Sequence, residues 1–97
     1  MPILVRPAAA ADIEVAFRWY EDQREGLGEE FLGEVQRTLA HVDSHPKLNP
    51  IIHRETRRAF VHRFPYGIFY CLFGDDVVVV ACLHARQDPM VWKTRVD

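Results

Sequence analysis

The run from Val77 to Leu83 (VVVVACL) is apolar at every position. Side chains alternate between the two faces of a strand, so a strand with one wet face reads apolar, polar, apolar. A run that is apolar on both parities is buried on both faces, which places it centrally in a sheet with cover on each side. The chain has 97 residues, enough for one domain over 1–97 and one core. Both covers must come from a small number of elements.

The first half reads as helical. Ile3, Leu4 and Val5 predict a short strand, ended by Pro7, which cannot donate to a ladder. Ile13, Ala16, Phe17 and Tyr20 then lie at i, i+3, i+4 and i+7 on one helix face, with Glu14, Arg18, Glu21 and Asp22 on the polar side. Gly26 and Gly28 are expected to stop this helix. A second period follows in Phe31, Leu32, Val35, Leu39 and Val42, with Glu29 and Glu30 where the helix dipole favours acids. Pro46 and Pro50 end it. So short a connection predicts an antiparallel αα-hairpin.

The second half reads as sheet. Ala59 to Arg63, Tyr66 to Phe73 and Val77 to Leu83 are rich in branched and aromatic residues. Gly74-Asp75-Asp76 marks a tight hairpin, and Pro65-Tyr66-Gly67 the turn before it. Asp88 as N-cap and Pro89 at the first helical position open a short last helix with Val91 and Trp92, ending near Arg95. The expected fold class is therefore α+β: an N-terminal strand, an αα-hairpin, a three-stranded antiparallel meander completing one sheet, and a short C-terminal helix. The hairpin covers one face, and only the short helix is left for the other. An aromatic, partly uncovered face that binds a partner is expected, with self-association of the free protein.

Composition narrows the function classes. With 48% apolar and 27% charged residues the chain is not disordered. No apolar run approaches the ~20 residues of a membrane span, and no basic segment leads into an apolar one at the start, so a cytoplasmic protein without a membrane partner is expected. Two cysteines read as buried strand thiols. A turn at Asp75 sets Cys71 opposite about residue 79, which argues against a bridge to Cys82. The net charge of −2 hides an asymmetry: residues 1–52 carry five basic against nine acidic groups, and residues 53–97 seven against five. Four of those seven basic residues lie between His53 and Arg63. Such a patch suits an anion or an acidic partner, whereas a dedicated nucleic-acid binder is clearly basic overall.

Signatures of catalysis are sparse. There is no CxxC, HExxH, P-loop or GxSxG. His41 and His45 have a helical spacing that can ligate metal, but no third ligand falls beside them, so neither a metal nor a cofactor is expected. Strand alternation sets Arg58 and His62 on one face and Arg57 and Arg63 on the other, while His84 and Arg86 share a face at the end of the last strand. A histidine beside two arginines can do acid–base work on a phosphodiester. Arg58 and Arg86 can equally pair with partner carboxylates, and spacing favours this second role.

The stretches ADIEVAFRWYEDQREGLGEEFLGEV, RRAFVHRFPYGIFY and VVVVACLHARQDPMVW resemble, in order from Ala8 to Arg95, the RelE/ParE superfamily of toxins from bacterial type II toxin–antitoxin modules. The WYE…GLG…F hairpin, the RFPY turn and the H-x-R-x-D-P-x-x-W end carry the likeness. The resemblance implies a small α+β toxin that inhibits growth or stabilises plasmids. It also implies an antitoxin that lies over the open surface and alone reaches operator DNA. RelE-like members cut messenger RNA in the ribosome with basic residues on the sheet and a C-terminal tyrosine; ParE-like members poison DNA gyrase and lack that set. Carried across, Arg58 and Arg86 fall where basic residues are expected. Phe60 replaces a lysine, Gly67 an arginine, and Trp92 the tyrosine, whose proton chemistry an indole lacks. His84 is the remaining proton carrier. A net charge of −2 also suits an RNA-rich target poorly.

The resemblance thus favours a ParE-like toxin acting on gyrase without chemistry of its own. The alternatives are a ribosome-dependent endoribonuclease using His84, Arg58 and Arg86, and a non-toxic relative that only binds an antitoxin. No catalytic residue is assigned. Arg57, Arg58, Arg63, Phe60, Tyr66, Arg86 and Trp92 form the expected antitoxin- or target-binding set.

Overall fold

The computed structural model describes residues 3–97. In chain order the elements are β1 (Ile3–Val5), α1 (Pro7–Gln23), α2 (Leu27–Ser44), β2 (Ile51–His53), β3 (Thr56–Phe60), β4 (Tyr66–Phe73), β5 (Asp76–His84) and α3 (Met90–Val96). The strands form one five-stranded sheet in the order β1-β5-β4-β3-β2. β5 lies between antiparallel β4 and parallel β1, and Val77 to Leu83 are all buried, as their pattern requires.

The meander is one strand longer than the sequence predicts. β2 is only three residues long and pairs irregularly with β3, too short to show an alternation. β3 also sits earlier, at Thr56–Phe60 rather than Ala59 to Arg63. The chain turns at Val61, whose N–H donates to the Tyr66 carbonyl at 2.9 Å, and Arg63 adopts a left-handed φ of 73°. Strand alternation therefore stops before His62 and Arg63, which corrects the expected pairing of Arg58 with His62 on one face.

Glu21 builds the tight join between the helices. Its carboxylate accepts the N–H of Gly26 at 3.0 Å and of Gly28 at 2.9 Å, so a side chain of α1 satisfies the orphan donors opening α2. Gly26 makes the reversal with φ of 88°. Gly28 does not stop α1; it lies inside α2, where a Cβ would meet the Phe17 ring at 2.7 Å. The smallest residue thus lets the two helices close up. Below them, Phe64 packs against Tyr20 at 4.9 Å and Phe31 at 5.4 Å between ring centres, pinning the Arg63-to-Tyr66 turn to the hairpin.

A β-bulge divides β5. Ile68 pairs with Cys82 and Phe69 with Ala81, but Tyr70 pairs with Val79, so Val80 has no opposite number. β1 ends at Val5, just before this point, with the Arg6 N–H on the Val79 carbonyl at 3.0 Å. Side chains serve the next exposed groups of β5. Asp12 of α1 accepts the Cys82 N–H at 3.0 Å, and Arg95 of α3 donates to the Val80 carbonyl at 3.1 Å. The two then pair with each other at 2.6 and 3.1 Å.

The far face of the sheet is covered more fully than expected. Phe69, Cys71, Val78, Val80, Ala81, Leu83 and Trp92 form a second buried cluster, with Trp92 stacked on Phe69 at 4.7 Å between ring centres. α3 is held by Arg95 and also by Asp97, which meets His53 at 3.0 Å and Arg54 at 2.7 Å. α3 begins at Met90 with Pro89 at its N-cap, one residue later than expected, and the Asp88 carboxylate accepts the Met90 N–H at 2.9 Å. The expectation of an open face is thus corrected: one short helix suffices because the bulge turns both Val80 and Ala81 towards it. Leu4, Phe60 and Phe73, 50%, 67% and 55% exposed, remain as apolar side chains at the margins of this face. The Gly74-Asp75 turn sets Cys71 opposite Val78. Cys71 and Cys82 are both free, one in each core cluster.

Two measurements check this arrangement. Asp12→Ala leaves Arg95 and the Cys82 N–H without their acceptor, and is expected to cost about 2–3 kcal/mol. The readout is a lower urea midpoint at unchanged slope; a loss below about 0.5 kcal/mol, the scale of an exposed ion pair, would contradict the account. Burial, and secondarily the charge of Asp12, pushes the Cys82 thiol up to about 12. Iodoacetamide at pH 8 is expected to label neither cysteine in the folded protein and both in denaturant. Rapid native labelling of Cys82 would show that the core is open there.

Candidate functional site

Strand register gathers the site on the face that α3 covers. Arg58 lies opposite Phe69, Phe60 opposite Gly67, and Gly67 opposite Leu83. Trp92 closes one side and the turn after His84 another. The result is a cavity of about 80 Å³ lined by Arg58, Phe60, Gly67, Phe69, Leu83, His84, Ala85, Gln87, Pro89 and Trp92.

Arg58 is held in place by its neighbours. A Cβ on Gly67 would lie 3.1 Å from Arg58 Cδ and 3.2 Å from Cγ, so the arginine stem runs directly over the glycine. Its guanidinium carbon stands 4.6 Å from the centre of the Phe60 ring, a cation–π contact. Arg58 Nε is buried and has no hydrogen-bond partner among the described residues. A buried donor left unmade is costly, so the group is suited to an acceptor from outside.

His84 has a defined role for one of its nitrogens. Nδ1 accepts the backbone N–H of Arg86 at 3.0 Å. In the neutral ring the hydrogen then sits on Nε2, which is a donor and not a base. The ring packs edge-on against Tyr66 at 5.4 Å.

The structure brings together four of the residues named from sequence, Arg58, Phe60, His84 and Trp92, and separates the others. Arg57 is on the opposite face, donating to the carbonyls of Lys47 and Asn49 in the loop after α2. Arg63 pairs with Glu30 at 2.9 Å, and with Arg24 it holds the Glu30 carboxyl below its usual range. Tyr66 packs on the core under the hairpin. Arg86 lies in the turn after β5, outside the cavity lining, so its expected place beside Arg58 is corrected. Trp92 is 6% exposed and forms a wall of the cavity. The contributions of Gly67 as a bed for Arg58, and of Phe69, Leu83 and Gln87, were missed. Cross-strand register discloses the first three, and the turn after β5 brings in Gln87.

Two further features complete the surface. Val15 and Trp19 stand outward on α1, 69% and 57% exposed, beside Pro65 and Tyr66. His41 and His45 stack at 5.0 Å, but no group of three or more metal-binding side chains occurs among the described residues. Among those residues, no helix is long and apolar enough to cross a membrane.

Comparison with known proteins adds two findings. A search of curated sequences found no match. A solved structure described as "Chromosomal ParDE TA system from P. aeruginosa" is similar, with a TM-score of 0.66 and 18% identity over 87% of this chain and 95% of that one. That likeness confirms the fold: an N-terminal strand, two helices, a meander in one sheet and a short last helix. A family profile described as "ParE toxin of type II toxin-antitoxin system, parDE" matches residues 3–89. The chain belongs to the ParE toxin family of type II toxin–antitoxin systems.

Proposed function

We propose that the chain is a cytoplasmic toxin, neutralised by a cognate antitoxin, that acts on DNA gyrase by binding and not by chemistry of its own. The observation that carries this is the state of His84. With Nδ1 occupied by the Arg86 N–H, the neutral ring offers a donor where cleavage of a phosphodiester needs a base. The surrounding residues supply little else for such chemistry. Arg58 is the one cation of the cavity lining; Phe60, Gly67 and Trp92 add neither a second cation nor a phenol.

The outer surface suits protein partners instead. Val15, Trp19, Phe60 and Phe73 are large apolar side chains more than half exposed. Aromatic anchors of this kind provide most of the energy of protein interfaces. Contact with operator DNA is left to the antitoxin, in keeping with a chain of net charge −2. The endoribonuclease reading keeps one observation in its favour, that Arg58 and His84 line the same cavity.

Induction in a bacterial host separates the readings. Growth arrest with DNA breaks and an SOS response, relieved by co-expressed antitoxin, is expected. His84→Ala at matched protein level is expected to keep that arrest. Cleaved transcripts that disappear in His84→Ala, the ~10²–10⁴-fold loss of a general acid or base, would establish the nuclease instead. Normal growth would identify a relative that has lost toxicity.

A further inference from the structure

We infer that the cavity between Arg58, His84 and Trp92 is an anchoring site for one carboxylate, an Asp or Glu side chain flanked by apolar residues on a segment of the antitoxin. The inference rests on the preceding reading that an antitoxin holds this chain. It names the chemistry of one contact, which that reading leaves open.

Arg58 is singled out by what the neighbouring arginines do. Arg54 is engaged by Asp97, Arg57 by backbone carbonyls, Arg63 by Glu30 and Arg95 by Asp12. Arg58 has the Phe60 ring on its guanidinium and a buried Nε with no partner among the described residues. Two N–H donors, Arg58 Nε and His84 Nε2, belong to residues lining the same cavity. A carboxylate is acceptor-only, and so complements a site of donors.

Size and walls define the rest of the ligand. A recess of about 80 Å³ has room for a carboxyl group with its adjoining methylene. Phe69, Leu83 and Trp92 provide apolar walls for the stem. A polynucleotide would bring one charge per residue and need a row of cations. Arg54, Arg57, Arg63 and Arg95 are occupied within the chain, so the His53-to-Arg63 segment offers no such row. Gly67 beneath the Arg58 stem and Phe60 against its head fix the guanidinium before anything binds, which lowers the entropy lost on binding.

Nuclear magnetic resonance on the whole, partner-free chain tests the site directly. The Arg58 Nε–H signal is identified by its loss in Arg58→Lys. Sodium acetate, inorganic phosphate and tetra-adenylate are titrated at constant ionic strength, with chloride as the control. Acetate is expected to shift the Arg58 Nε–H and the Trp92 indole N–H saturably, and more strongly than phosphate. No shift, or one equal to that of chloride, overturns the site. Saturation by tetra-adenylate below the acetate concentration overturns the carboxylate in favour of nucleic acid.

Affinity for the cognate antitoxin tests the occupant. Arg58→Lys, which keeps the charge but loses the guanidinium, and Gly67→Ala, which crowds the arginine stem, are each expected to weaken the complex about tenfold or more. Arg37→Ala, at an exposed α2 position, is expected to change it less than twofold, and circular dichroism shows that each variant is folded. Native affinity in both cavity variants overturns the anchoring role while leaving neutralisation intact. Failure of the native chain to bind any antitoxin removes the occupant together with the neutralisation reading, and the acetate titration still decides whether the carboxylate site exists.

Discussion

The ion pair between Asp12 and Arg95 stands where the sheet would otherwise fail. β1 pairs with β5 only from Val77 to Val79, and beyond it the Val80 carbonyl and the Cys82 N–H face an edge with no strand. Unpaired backbone groups beside a core are costly, and a central strand cannot leave them dry. Asp12 and Arg95 supply the missing acceptor and donor, and they neutralise each other as they do so. Because one comes from α1 and the other from α3, the same contact fastens a helix to each face of β5. The two hydrophobic clusters are formed by burial, but their joint register depends on this polar bridge.

The cover of the second face and the candidate site are one construction. Trp92 can stack on Phe69 because Arg95 and Asp97 hold its helix down, and the same indole then walls the cavity beside Arg58. A short helix of seven residues is therefore enough to finish the core and to shape a recess. Trp92, Val91 and Val96 pack it on the sheet, and the polar contacts of Arg95 and Asp97 complete its attachment. This makes the chemistry of the site inseparable from the stability of the C-terminal segment.

The basic segment from His53 to Arg63 illustrates how tertiary pairing redistributes charge. Read along the chain, it is a patch awaiting an anion. Folded, its arginines diverge: Arg54 meets the C-terminal residue, Arg57 ties down the loop after α2, and Arg63 crosses to Glu30 of the acidic first half. These pairs are mostly exposed and contribute little individually to stability. Their larger effect is to leave Arg58 as the guanidinium of that segment whose buried nitrogen has no partner.

Much of this molecule was legible from side-chain pattern. The doubly apolar Val77-to-Leu83 run implied a strand flanked on both faces, the i, i+3, i+4, i+7 spacing implied the helical hairpin, and Asp88-Pro89 implied the last helix. These signals are local, because burial of a strand or a helix face imposes its period on neighbouring residues. The three-residue β2 was too short to carry a period, and the bulge at Val80 left no mark in a run that is apolar throughout. Nor could spacing reveal that Asp12 reaches Arg95 across 83 positions, or that Gly67 lies under Arg58. The sequence by itself determined which elements form and the residue types available to the site. Tertiary structure alone decided which arginine of the His53-to-Arg63 segment keeps a buried nitrogen without a partner, because that depends on cross-strand register and on partners distant in the chain.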